Sequence, residues 1–127
     1  MLKAKIATAW GAAMFGAMIF VAMAGPAGAA DAAHGKVVFQ TCAACHSEKP
    51  DALGPSLRGV YGRTTGSLED FRYSNAMMRA HFVWNEASLR DYLKDPQAKV
   101  KGNRMPFAGL SDPKDVDDVV AYLKEYK

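Results

Sequence analysis

Cysteine is scarce in this chain: 127 residues hold two, and both fall inside one five-residue stretch. A disulfide framework is therefore excluded as the source of stability, since such scaffolds carry several spaced cysteines. A surplus of one charge is lacking too. Sixteen basic residues stand against 13 acidic ones, and two of the basic ones, Lys3 and Lys5, belong to the extreme N-terminus. From residue 31 onward the balance is 14 to 13, a net charge of +1. That excludes a polycationic nucleic-acid binder, which needs a clustered basic surface to neutralise several phosphates. Alternating apolar and polar runs of the kind that make strands are almost absent, as are internal repeats and low-complexity tracts. The length fits one domain.

The long uncharged stretch lies at the start. Lys3 and Lys5 precede residues 6–30, whose apolar heart at 14–23 has signal-peptide length. Pro26 breaks a helix there, and Ala27-Gly28-Ala29 forms an A-x-A cleavage site, with removal after Ala29 or Ala30. An uncleaved membrane anchor is the competing reading. It is disfavoured by the weak Ala/Gly hydrophobicity, and by a tether of about ten residues before Gly35, short for a mobile domain. No cysteine follows the run, so lipidation is not indicated. The expectation is an exported protein with a signal at 1–30 and one domain at 31–127.

Three helical patterns punctuate that domain. The first covers about 32–42, with Val38, Phe39 and Cys42 at helical spacing. The second starts at Asn85 as N-cap, places Leu89, Tyr92 and Leu93 on one face, and is stopped by Pro96. The third has Asp112 as N-cap and Pro113 as first residue, with Val116, Val119, Val120 and Leu123 in the i, i+3, i+4, i+7 pattern. Loops rich in Gly and Pro lie at 53–66 and 96–109. Loops that long are seldom free-standing in a compact domain, and a chain of this size is marginal on side-chain burial alone. The expected fold is all-α, with something other than side chains filling the centre.

The two cysteines lie in Cys42-Ala43-Ala44-Cys45-His46. Three chemistries use such a pair. A redox disulfide normally sits in a βαβ context, which is missing. A zinc site normally takes four protein ligands, and the chain has no second cysteine pair and only two other histidines, His34 and His81. Covalent haem attachment uses both thiols on the vinyl groups and carries the next histidine onto the iron. Export and the adjacent His46 favour the third. A ligating histidine donates its other ring N–H to an acceptor, and a carbonyl of the Gly54-Pro55 loop is the candidate. For the opposite axial position the candidates are Met77, Met78, Met105, His34 and His81. His34 is too close along the first helix, and Met77 and Met78 read as packing. Met105, in a glycine-containing loop stiffened by Pro106, is favoured.

Several motifs in order resemble the class I c-type cytochromes, of the bacterial c2 or mitochondrial kind. They are Gly35-Lys36-Val37-Val38-Phe39, the haem motif, Gly54-Pro55-Ser56-Leu57-Arg58-Gly59, Tyr61-Gly62-Arg63-Thr64-Thr65-Gly66, Phe71-Arg72-Tyr73-Ser74, Trp84, Tyr92-Leu93, the Met105 loop and Ala121-Tyr122-Leu123-Lys124. The likeness covers residues 33–127. It implies three main helices and long loops around one haem c, attached through Cys42 and Cys45 and ligated by His46 and Met105. It further implies that the Pro55 carbonyl holds His46, and that Arg63, Tyr73 and Trp84 bond or screen the propionates. Tyr92 would lie beside the Met105 sulfur, and Phe107 would cover the exposed haem edge. Gly35 and Phe39 would pack on Tyr122. Asn103 stands where the family often has a hydroxyl to a propionate, and its amide can still donate.

The function implied is a soluble, monomeric periplasmic carrier of one electron, not an enzyme. Its donor would be a bc1-type complex or dehydrogenase and its acceptor a terminal oxidase, reductase or reaction centre, reached by transient docking on membrane complexes. The rivals are a peroxidase-like or gas-binding haem protein with an open distal site, and a subunit dedicated to one dehydrogenase. Lys99, Lys101 and Arg104 would lie near the haem edge, with Asp112, Asp115, Asp117 and Asp118 gathered as an acidic face on the last helix.

Overall fold

The computed structural model describes Gly11 and residues 28–127. Most of the expected export signal lies outside the described residues. The order is α1 (Ala32–Ala43), α2 (Asn75–Met78), α3 (Glu86–Lys94), α4 (Pro96–Lys99) and α5 (Pro113–Glu125). The described residues contain no strand beyond one isolated bridge, Thr64 to Val83. Around that bridge Gly62 N–H donates to Trp84 at 2.6 Å, Trp84 N–H to Arg63 at 2.8 Å and Thr65 N–H to Phe82 at 2.9 Å. The 53–66 loop is thereby tied to the segment that leads into α3.

The three long helices begin where their caps place them. Asp31 accepts from the N–H groups of Ala33 and His34 at the start of α1. Asn85 and Ser88 exchange bonds in a capping box at α3, and Asp112 accepts from Lys114 N–H at α5, with Pro113 at the first position. Pro96 does not simply stop the second helix. Asp95 closes α3 and caps α4, in which Pro96 is the first residue. Proline lacks an N–H that the first turn of a helix would leave unpaired anyway, so it opens the new turn without loss. Neither α2 nor α4 was expected; four residues carry no periodicity to read.

α1 crosses α5, the most extensive contact between helices. Gly35 makes the crossing possible: a Cβ there would collide with the Asp118 carbonyl group on α5. Phe39 then sits 5.0 Å from the Tyr122 ring and 5.3 Å from that of Tyr126. The inner face of α5 is as patterned, with Val116, Val119, Val120 and Leu123 all buried.

The acidic face expected on α5 is not there as drawn. The Asp118 side chain is 0% exposed. Its carboxylate accepts from Asp31 N–H at 2.7 Å and Lys114 Nζ at 2.6 Å, and meets His34 Nδ1 at 2.8 Å. Asp117 pairs with Arg90 at 2.7 Å, and Asp112 is occupied as a cap. A carboxylate at a helix crossing is tolerated because each oxygen is bonded. The Asp31 N–H first, then Lys114, hold the Asp118 carboxyl down to about 2, against burial that pushes the other way. The Lys114 ammonium is correspondingly raised.

A depressed carboxyl stabilises the fold above its unfolded value and loses that contribution as pH falls through the folded one. Stability should therefore decline from about pH 4 toward pH 2. Urea midpoints across that range test this, and Asp118→Asn should flatten the decline while lowering the midpoint at pH 7. The charged neighbours in play are Asp31 and His34 on the α1 side and Lys114, Asp112 and Asp115 on the α5 side. An unchanged slope in the variant would assign the decline to other groups.

Candidate functional site

The expected filler has a place. A cavity of about 540 Å³ opens at the centre of the fold, walled largely by apolar side chains. Cys42 reaches it from the end of α1, and Cys45 and His46 from the turn that follows. The turn is tight: the N–H groups of both Cys45 and His46 donate to the Cys42 carbonyl, at 3.1 and 2.9 Å. Two thiols and an imidazole thus face one space from five successive positions of chain.

His46 is held as expected. Its Nδ1 lies 2.7 Å from the Pro55 carbonyl oxygen, which leaves Nε2 as the nitrogen free to bind. Gly54 lies against the ring, and a Cβ there would stand 2.6 Å from His46 Cε1. Burial pushes the His46 imidazole down, opposed by the Pro55 bond, which favours the neutral ring that a metal ligand must be. The Cys42 thiol is pushed up, mainly by burial and in small part by Cys45. A redox dithiol needs the reverse, a lowered thiol in an electropositive setting. For zinc, no group of three His, Cys, Asp or Glu side chains among the described residues could hold a metal ion.

Met105 lines the same cavity, and the Tyr92 hydroxyl donates to its sulfur at 3.4 Å. Burial raises the Tyr92 phenol to about 12, so it stays a donor. The Met105 loop is braced from inside. Both amide hydrogens of buried Asn103 go to carbonyls, those of Pro96 and Val100, each at 2.9 Å, while its Oδ1 accepts from Met105 N–H at 2.9 Å. This corrects the expectation for Asn103. It borders the cavity, but with both hydrogens committed it works as a loop brace, not as a donor to a bound group.

Tyr73 and Trp84 border the cavity, and Trp84 meets Tyr92 edge-on at 5.0 Å. Arg63 does not border it. Its guanidinium donates to the carbonyls of Ser56 at 2.7 Å and Arg58 at 3.3 Å; burial pushes the half-buried Tyr73 phenol up, and the Arg63 charge only partly opposes it. Phe107 is half-buried and also off the cavity wall; Arg104 and Pro106 flank Met105 there instead. Met77, expected as a packing residue, lines the wall and belongs to the core. Met78 is 47% exposed, and neither His34 nor His81 reaches the cavity.

The comparisons decide what the cavity is built for. The family model described as Cytochrome c matches residues 32–127. The chain belongs to the cytochrome c family. It is 42% identical over 116 residues to cytochrome c2 of Blastochloris viridis, across 89% of this chain and 91% of that protein. Cytochrome c2 of Afifella marina is 49% identical over 100 residues, 74% of this chain and 81% of the relative. Cytochrome cH from Methylobacterium extorquens superposes with a TM-score of 0.71 at 43% identity, covering 75% of this chain and 98% of that structure. As a cytochrome c the chain is a haem c protein that carries electrons, not an enzyme. The all-α frame with long loops is that of the cytochrome c neighbour. The residues present fit the cofactor: an apolar space, two thiols for covalent attachment and a neutral imidazole with its second nitrogen free.

Proposed function

We propose that this cytochrome c is a periplasmic carrier of one electron, exported on residues 1–30 with cleavage after Ala29 or Ala30, its mature domain spanning 31–127. The reading rests on one observation: Cys42, Cys45, His46 and Met105 all face a single apolar cavity. Cys42 and Cys45 would form the thioethers, with His46 and Met105 as axial ligands. The bound haem would supply a single iron that takes up and releases one electron.

The protein supplies the rest. The Pro55 carbonyl orients His46, Tyr92 orients Met105, and the apolar wall keeps water from the centre. His46 and Met105, one of them a thioether, would raise the reduction potential of the bound iron, and a dry wall would disfavour the extra charge of the oxidised state. With His46 and Met105 both holding the iron, substrates would be kept away from it. Tyr73 and Trp84 would screen the propionates from the rim.

Partners would be a membrane donor and acceptor, a bc1-type complex or dehydrogenase on one side and an oxidase, reductase or reaction centre on the other. Of the cations expected at the haem edge, Arg104 borders the cavity and Lys101 is exposed, while Lys99 is paired with Asp91 at 3.0 Å. With a net charge of +1 from residue 31 onward, docking should be only weakly salt-dependent. The test is the visible spectrum of the loaded protein, oxidised and reduced, with and without carbon monoxide. Sharp low-spin bands that carbon monoxide leaves in place are expected. A high-spin spectrum that shifts on addition of the gas would mean an open iron, and would overturn the carrier mechanism in favour of ligand chemistry.

A further inference from the structure

Beneath the imidazole lies a second set of contacts that cytochrome chemistry by itself does not call for. Glu48 is two residues beyond His46, and Ser56 follows Pro55 directly. The Ser56 hydroxyl donates to the Glu48 carboxylate, 2.9 Å from one oxygen and 3.0 Å from the other. The chain leaving His46 and the chain leaving Pro55 are therefore bonded twice in succession, once through the imidazole and once through this side-chain link. Within the intervening loop the backbone bonds are few: Ala52 N–H to Lys49 at 3.1 Å and Gly54 N–H to Cys45 at 2.9 Å.

The C-terminus secures the same carboxylate. The Tyr126 hydroxyl donates to Glu48 Oε1 at 3.2 Å, and Arg58 Nε stands 3.9 Å from that oxygen. Gly59 N–H donates to the Tyr126 carbonyl at 2.7 Å, and Arg63 fixes the Ser56 carbonyl at 2.7 Å. The Pro55 carbonyl and the Ser56 N–H share one peptide plane, because the amide is planar. Whatever anchors Ser56 consequently limits how that carbonyl can turn against His46.

We propose that Glu48 and Ser56 are positioning residues, a clamp that keeps the Pro55 carbonyl aligned on the His46 imidazole and so sets how strongly the ring donates to the metal. This rests on the reading of His46 as an axial ligand. An acceptor on the far nitrogen raises ligand basicity, which favours the oxidised state, so slackening the clamp shifts the protein toward reduction.

Ser56→Ala in the haem-loaded protein removes the link without changing charge. The expected result is an equilibrium about threefold more favourable to the reduced form, a potential raised by about 28 mV at 59 mV per tenfold for one electron. The His46 Nδ1 proton should exchange with solvent faster in the same variant, and Ser56→Thr, which keeps the hydroxyl, should restore both values. Glu48→Gln retains an acceptor for Ser56 and should leave the proton protected. A potential that stays put or falls in Ser56→Ala would overturn the proposal, since a fall is what simple admission of water produces. Separately, a wild-type ferric NMR spectrum without paramagnetically shifted His46 ring signals would remove the axial reading itself.

Discussion

Replacing Gly35 with alanine should lower stability by about 2 kcal/mol, opposite in sign to what helix propensity alone predicts. Alanine is the better helix former by about 1 kcal/mol in an exposed helix interior. Gly35 is buried, however, and its missing Cβ is the space into which the Asp118 carbonyl of α5 fits. A backbone carbonyl inside a helix has no flexible end to move aside, so the helices must part. Overpacking of this kind costs about 1–3 kcal/mol, and at the upper end it outweighs the propensity gain. Separation would also loosen the Phe39–Tyr122 contact and the bonds of Asp31 and His34 to Asp118. For a domain of this length the melting temperature should fall by about 8–16 °C. Thermal unfolding of the haem-loaded variant by circular dichroism measures it. A midpoint within a degree or two of wild type would show that the crossing has slack.

Met105→Ala should have the largest effect on the redox chemistry. If the Met105 sulfur is the second axial ligand, its removal abolishes the weak far-red methionine–iron band of the ferric protein. It should also lower the potential by about a few tenths of a volt, within the roughly 0.8 V range that axial ligands span. The fold should tolerate the change. Asn103 braces this loop through the Met105 backbone N–H, and Phe107 N–H donates to the Met105 carbonyl at 2.9 Å, so neither bond needs the side chain. The side chain is only half-buried, and the group left without a partner is the Tyr92 hydroxyl. Met77→Ala is the control, since Met77 also lines the cavity. Loss of the band in Met77→Ala and its survival in Met105→Ala would transfer the ligand role.

What could be read from the chain was local chemistry with a fixed spacing. Cap residues at Asn85 and Asp112, the apolar stripe of α5 and the Cys42–His46 motif each declare themselves within a few positions, and the structure places them as expected. The demand for a central filler followed from the same arithmetic of few helices and long loops. Side chains whose role depends on distant partners were less legible. Asp118 looks like one more surface acid of an exposed helix until Asp31 and His34 arrive from the other end of the domain. Asn103 looks like a donor to a ligand until the carbonyls of Pro96 and Val100 take both its hydrogens. Arg63 and Phe107 were assigned to a cavity rim from likeness alone. Their positions depend on how the loops close, which spacing does not encode.

The crossing of α1 and α5 also dictates an order of assembly. Its two halves stand at opposite ends of the domain, so the first helix has no surface to close against until the last one has been made. Contacts of such long sequence separation form late and slowly. The crossing therefore closes only once α5 itself has been made.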